Sequence, residues 1–343
     1  MVDKKAVYRW FYHKYIWYRE VIKRHNGARI GLGNRIKALK YGFSSDFFKL
    51  YHLDRNSPED YISEYKRIIS RDIVGDYKVL LDDKIIFTEF FSRYVKVPEI
   101  VYLIDGGLMD SAFNRISFGA FLSEFKGRKY IVKPIKGACG RGVHIIEEND
   151  GIFIDYQKAD EKALEELFAR CDKSIVNEYI CQHVYASRVF PGSVNTIRLI
   201  TIRDPDTGDV LIPCAAHRFG NSTTGAVDNV SSGGFVTQID IETGILGYGR
   251  QFGSDDPIEV HPDTGADILG VQIPNWQGIC ANILSAARHC PYLPFIAWDI
   301  AVTEDSFVVL EANASCSLEL FQMFGSIKGT KLWDFYRHYG IVK

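Results

Sequence analysis

No run in this chain approaches the roughly 20 consecutive apolar residues that span a bilayer, which argues against a transmembrane protein. No Cys-x-x-Cys pair occurs among the seven cysteines at 139, 171, 181, 214, 280, 290 and 316, so zinc-finger and redox-motif spacings are both missing. An odd, scattered set of this kind suits small buried side chains in a reducing cytoplasm. The N-terminal aromatic residues are broken by charges every few positions, so no secretory h-region forms. Internal repeats, low-complexity tracts and Gly/Ser linkers are lacking too. Net charge is almost absent at −2, which leaves little whole-molecule attraction to nucleic acid.

What is present is an ordinary globular composition, 46% hydrophobic and 24% charged, over 343 residues. That length suits two or three subdomains around a shared cleft. The charge is unevenly spread. Residues 1–41 hold eleven Lys or Arg against two Asp or Glu, and the remainder carries a balance of −11. A basic end is joined to an acidic body.

Up to about residue 75 the pattern is helical. Val7, Trp10, Phe11, Tyr18, Val21 and Ile22 recur at helix spacing among lysines and arginines. Ser57-Pro-Glu-Asp reads as an N-cap with proline at the first helical position, opening a helix through about Ser70. Ile85 to Tyr94 reads as another helix. From Lys129 the texture changes to strands and turns. Tyr130–Lys133, Val143–Ile146, Ser174–Ile180, Thr196–Arg203, Val210–His217 and Phe235–Ile241 are expected as β segments. Ala159–Arg170 and Trp276–Arg288 are expected as helices, and Phe295–Thr303 with Phe307–Glu311 as a hairpin.

Three sets of residues could carry chemistry. Lys133 ends a strand and is followed by Gly137, Gly140, Arg141 and Gly142, a loop whose backbone N–H groups could cover phosphates. It is not a Walker loop, because no Gly-Lys-Ser/Thr opens a helix, and a plain glycine-rich hairpin reads the same way. In the hairpin centred near Asp305, Asp299 falls opposite Glu311, with Asn313 on the same side as Glu311. Two carboxylates and an amide oxygen suit Mg²⁺ sharing its shell with phosphates; the bland reading is a solvent-facing acidic pair. Arg198 and Arg218 lie within apolar strands, where each meets either a substrate anion or a core acid. Asp228-Asn229-Val-Ser-Ser-Gly-Gly234 is a substrate loop or a plain turn. His183, His217 and His261 read as structural.

The order of these features resembles the ATP-grasp superfamily: Asp83-Lys84, Val132-Lys133-Pro134 with its glycine loop, Asn177-Glu178-Tyr179-Ile180, then Asp299 and Glu311-x-Asn313. Asn195-Thr-Ile-Arg198, His217-Arg218-Phe-Gly, Asp228-Asn229 with Gly233-Gly234, His261-Pro-Asp-Thr-Gly265 and Trp298-Asp299 resemble its sugar-transfer-associated branch, from about Gly42 to Lys331. The resemblance implies an α/β chain with two α+β subdomains gripping ATP, preceded by an N-terminal helical region. The chain then divides into a basic helical region at 1–75, a preceding segment at 76–115, a small subdomain at 116–182 and a large one at 183–343.

It also implies roles. Lys84 and Lys133 would contact ATP phosphates under the 137–142 loop, and Glu178, Tyr179 and Ile180 would meet adenine. Asp299, Glu311 and Asn313 would hold Mg²⁺. Arg198 and Arg218 would stabilise the transferred phosphoryl group, while Asn195, Asp228, Asn229, Ser232 and Gly233 would bind substrate. Other branches often carry an arginine two residues beyond the metal-binding asparagine; this chain has Ser315 there, and the role passes to Arg218. Cys139 within the loop is incidental to this chemistry.

The implied activity is an ADP-forming carboxylate–amine ligase acting through an acyl phosphate. Its substrates would be small or glycan-linked carboxylates and amines, sugar-related and bound for surface polysaccharide. A kinase that phosphorylates a hydroxyl is the rival enzyme, and a nucleotide-binding module without turnover the rival from another class. Residues 1–41 read either as a helix on an anionic membrane or as one burying its stripe on the acidic body. No nucleic-acid module accompanies them.

Overall fold

The computed structural model describes residues 4–137 and 140–343, so Cys139 lies outside the described residues. Helix α1 (Lys4–Trp17) runs on into a π turn at Tyr18–Ile22. Helix α2 (Leu32–Tyr41) ends at Gly42 in the left-handed conformation, φ 88°. A Cβ there would stand 2.7 Å from Ser63 Oγ, so glycine is required on two counts. Ser44 caps α3 (Ser45–Leu50).

The helix expected from Ser57 to Ser70 is broken. Pro58–Asp60 makes one 3₁₀ turn, the chain extends at Tyr61, and Ser63 caps a new helix, α4 (Glu64–Ser70). The cause is tertiary. Gln322 accepts from the Ile62 N–H at 2.8 Å and donates to the Ile62 carbonyl at 3.0 Å, holding that residue extended. Helices α5 (Val79–Asp82) and α6 (Lys84–Phe91) meet at Asp83, whose carboxylate accepts from the Ile85 and Ile86 N–H groups.

The next stretch gives β1 (Ile100–Ile104), β2 (Leu108–Asp110), α7 (Phe118–Phe125), β3 (Lys129–Pro134), β4 (His144–Glu148), β5 (Ile152–Ile154), β6 (Gln157–Ala159), α8 (Glu161–Arg170) and β7 (Ser174–Glu178). Their seven-stranded sheet has the order β2-β1-β7-β3-β4-β5-β6. It reaches back to Ile100, so the expected break at 115–116 falls inside it. Strand alternation decides what each face does. Tyr130, Val132 and Val176 pack with Phe121, Phe125, Leu164 and Phe168 of the helices. Ile131 and Lys133 are left to face the other way.

The last stretch gives α9 (Val184–Val189), β8 (Ile197–Arg203), β9 (Val210–Phe219), β10 (Phe235–Ile239), β11 (Leu246–Gln251), α10 (Trp276–Arg288), β12 (Phe295–Val302), β13 (Phe307–Asn313), α11 (Glu319–Gln322) and α12 (Lys331–His338). The second sheet has the order β11-β10-β9-β8-β12-β13. Every residue of the interior strand β12 is buried, which explains an apolar sequence that only Asp299 interrupts. All pairings within both sheets are antiparallel, giving each half an α+β character.

The N-terminal helix departs from the buried-stripe reading. His13 and Val21 are buried, but Trp10, Phe11 and Tyr18 of the expected stripe are 53–62% exposed. The face that packs is set by His13, 3.3 Å from Asp72, and by Trp17, whose ring lies 5.6 Å from that of Tyr65.

Candidate active site

The hairpin register is the one the spacing dictates. Asp299 pairs with Glu311 across β12 and β13, and Ala297 with Asn313. On its other side Asp299 pairs with Arg198 of β8. The Arg198 guanidinium grips Asp299 with two bonds, Nε to Oδ1 at 2.5 Å and Nη2 to Oδ2 at 2.9 Å. Arg218 of β9 adds a contact to Asp299 at 3.4 Å and one to Asp228 at 3.5 Å. Thr196 closes the network: its hydroxyl donates to Asp228 and accepts from Arg218.

Two guanidiniums and two carboxylates thus neutralise one another in a nearly water-free place. Burial alone would push Asp299 up, but Arg198 and Arg218 outweigh it and hold the carboxyl below its ordinary value. Asp228 goes the other way, because burial outweighs the single guanidinium beside it.

Two lysines complete the cationic lining. Lys84, at the first position of α6, reaches Glu311 at 3.5 Å and donates to the Gly137 carbonyl at 3.1 Å. Lys133 is pushed down to about 8 by burial, with Lys84 adding to the effect and Glu311 opposing it.

All of these groups line one cavity of about 560 Å³ between the sheets. Its apolar wall includes Ile131, Ile145, Tyr179, Ile180 and Leu310. The Glu178 carboxylate lies 3.8 Å from Arg128, and the residue also lines the cavity. The glycine hairpin contributes Gly137, Gly140 and Arg141. At Gly140, φ is 65° and a Cβ would stand 3.0 Å from Val227, so only glycine lets the hairpin approach that loop.

Several expected residues sit elsewhere. Asn195 is 1% exposed and lies outside the lining. Its amide donates to Gln182, Ala186 and Phe190 and accepts from the Gly220 N–H, so it fixes loops rather than meeting a substrate. Asp228 and Asn229 do line the cavity; Ser232 and Gly233 do not, and Ser231 takes their place. Gly233 instead ends a short 3₁₀ turn, its carbonyl accepting from Asn221 and Gln251. Gly142 also stands back from the lining. The three histidines are structural: His217 accepts from the Tyr185 hydroxyl at 2.7 Å and is pushed down to about 3 by burial. His261 is buried against the Gly220 carbonyl, and His183 caps α9.

The sequence reading missed the opposite wall. Arg67 and Arg71 from the α4 region, Tyr12, Ile16 and Arg19 from the N-terminus, and Ser315 and Ser317 beyond β13 all line the same cavity. Alternation does not stop at Asn313. Glu311, Asn313, Ser315, Ser317 and Glu319 are all partly exposed, while the residues between them are buried.

The donor set can be tested against Mg²⁺. The ion takes hard oxygens and is held by one or two carboxylates plus phosphates. Glu311 and Asn313 fit that chemistry through their oxygens, and the Asn313 Nδ2, buried with no hydrogen-bond partner among the described residues, is a donor suited to an oxyanion beside the ion rather than to the ion itself. Asp299 fits less directly than expected, because both its oxygens already engage arginines. Among the described residues no group of three His, Cys, Asp or Glu gathers as an all-protein cage.

Comparison with solved structures finds distant likenesses. D-alanine–D-alanine ligase from Bacillus anthracis is 14% identical at a TM-score of 0.36, over 77% of this chain and 64% of that one. The ADP complex of PurK, an N5-carboxyaminoimidazole ribonucleotide synthetase, is 11% identical at 0.45, over 85% and 63%. D-cycloserine synthetase DcsG is 14% identical at 0.41, over 87% and 81%. The chain therefore spans less than two thirds of the first two. No curated protein matches it. The model of one family, described as sugar-transfer associated ATP-grasp, matches residues 66–330. With the greater part of its length inside that match, the chain belongs to the sugar-transfer associated ATP-grasp family.

Proposed function

We propose that the protein is an ATP- and Mg²⁺-dependent ligase that joins a carboxylate to an amine through an acyl phosphate. A sugar or amino-sugar derivative destined for surface polysaccharide would be one substrate. The observation that carries this reading is that Lys84, Lys133, Arg198, Arg218, Glu311 and Asn313 line one cavity together with Gly137 and Gly140 of the glycine hairpin, with Lys84 3.5 Å from Glu311. The six cysteines among the described residues are all free, which supports a reducing cytoplasm as its compartment.

Adenine would lie against Ile131, Ile145, Tyr179 and Leu310, with the phosphates directed to Lys84 and Lys133. The substrate carboxylate attacks the γ-phosphorus, an O–P bond forms, and ADP leaves with the electrons of the broken bridging P–O bond. An amine then adds to the acyl carbon and loses a proton, and phosphate departs. Magnesium held at Glu311 and Asn313 would offset charge on the phosphates. Arg198 and Arg218 are fixed beforehand by Asp299, Asp228 and Thr196, so no reorganisation is needed as charge develops. The glycine hairpin would keep water from the intermediate.

Hydroxylamine tests the reaction class. With Mg²⁺, ATP and a panel of sugar acids and amino acids, an ATP-dependent hydroxamate accompanied by ADP is the expected outcome. A stable phosphate ester with no hydroxamate would replace the ligase by a kinase.

A further inference from the structure

We propose that Arg67 and Arg71 form a second subsite of this cavity, which takes the anionic group, carboxylate or phosphate, of a substrate other than ATP. The ligase reading supplies the reason for such a substrate; the subsite itself stands on geometry. Arg67 and Arg71 are four residues apart on the α4 region and line the same cavity as the nucleotide-facing residues. Arg67 is half-buried, yet among the described residues its guanidinium has no hydrogen-bond or ion-pair partner. Among the described residues Arg71 meets only Asp82, at 4.0 Å. The contrast with Arg198 and Arg218, both matched to carboxylates, is what marks Arg67, with Arg71 held only by a long contact beside it. A guanidinium held in a partly dehydrated cavity with no carboxylate in contact is poised for a planar oxyanion.

The site also lies close to the chemistry. Arg67, Arg198 and the buried Cys316, three residues beyond Asn313, all line the one cavity. Ser315 and Ser317 extend from Asn313 toward this end as donors and acceptors, and Glu319 offers an acceptor for an amine or hydroxyl of the same ligand. Arg19 contributes less, since Glu20 holds it at 2.7 Å.

Calorimetry with glucuronate, glucose 6-phosphate and glucose tests the subsite, with the non-hydrolysable nucleotide AMP-PNP and Mg²⁺ measured separately. One of the two anionic sugars should bind wild type at least tenfold tighter than glucose, and which one does so identifies the anion. Arg67→Gln should abolish that preference, and Arg67→Lys should restore part of it. AMP-PNP affinity and melting temperature should stay at their wild-type values in both variants. Equal binding of all three sugars to wild type overturns the proposal, as does loss of AMP-PNP binding in Arg67→Gln. Failure of AMP-PNP to bind wild type while glucuronate or glucose 6-phosphate still does would sink the nucleotide reading and keep the subsite.

The outer face of α1 carries an independent observation. Tyr8, Phe11, Tyr15 and Tyr18, spaced by three and four residues, form an aromatic ridge 72%, 62%, 57% and 60% exposed. Leu32, Ile36 and Leu39 make a second exposed stripe on α2, at 75%, 60% and 43%. Lysines and arginines surround both, within the segment of balance +9. We infer that this face docks on an anionic membrane surface. Tyrosine and tryptophan suit the headgroup layer, basic side chains suit acidic lipid, and the opposite face of α1 is already pinned to Tyr65 and Asp72. The same helix walls the cavity through Tyr12 and Ile16, which would bring the site to the lipid surface.

Co-sedimentation should show binding to vesicles of phosphatidylcholine with one quarter phosphatidylglycerol, weakened by salt, and little to phosphatidylcholine alone. Phe11→Ser with Tyr15→Ser should cut the bound fraction several-fold without lowering the melting temperature. No binding to the anionic vesicles overturns the inference. So does a stable dimer in solution that the same two substitutions dissociate.

Discussion

If Lys133 meets the nucleotide phosphates as proposed, its burial sets the direction in which nucleotide affinity depends on pH. Burial and the neighbouring Lys84 bring its ammonium down to about 8, so the empty site loses that charge well below the ordinary lysine value. A bound phosphate favours the charged form and raises the value again. Below pH 8 the lysine is already protonated and affinity should be flat. Above pH 8 binding must take up a proton, and affinity should fall about tenfold between pH 7 and pH 9, or about 1.4 kcal/mol. Calorimetry with Mg²⁺ and AMP-PNP in two buffers of different ionisation enthalpy at pH 9 would read the uptake as close to one proton. Lys133→Arg keeps a charge at every pH, so it should bind without that slope or uptake. The same shift should let the empty protein gain stability as pH rises from about 8 toward the ordinary lysine value, since the unfolded chain binds the extra proton there. A wild-type affinity unchanged from pH 7 to 9, or an equal slope in Lys133→Arg, would refute the reasoning.

Removing Asp299 strands Arg198 in a dry interior, so Asp299→Ala should cost about 3–5 kcal/mol in urea unfolding, beyond any loss of turnover. Asn195→Ala should cost about 2–3 kcal/mol in the same assay by orphaning the groups its amide holds, with AMP-PNP affinity unchanged. Ser232→Ala, which lies off the cavity lining, should leave both stability and nucleotide affinity within error of wild type.

The β12–β13 hairpin was legible because its physics is local. Two apolar runs around a polar turn fix the register, and register fixes that Asp299 faces Glu311. The approach of Lys84 and Lys133 to Glu311 was visible only through the resemblance, since residues so far apart meet by tertiary folding alone. The broken helix at Ser57 failed for the same reason, because the side chain that extends Ile62 is Gln322. Asn195 shows the limit of reading polar residues near a motif: a buried amide can hold loops together as readily as it holds a ligand. The Arg67 wall had one available signal, the helical spacing of Arg67 and Arg71, but nothing in the sequence says which side of α4 meets the cavity. The alternation of Ser315, Ser317 and Glu319 with buried residues could have been followed past Asn313 by period-two counting.

The most direct test of the nucleotide site is thermal melting of wild type and Glu311→Gln with AMP-PNP, with and without Mg²⁺. A rise in melting temperature that requires Mg²⁺ in the wild type and disappears in Glu311→Gln, whose unliganded melting stays at the wild-type value, is the result expected if Glu311 holds the ion beside the phosphates. An equal rise in the variant, or none in the wild type at millimolar nucleotide, would contradict it.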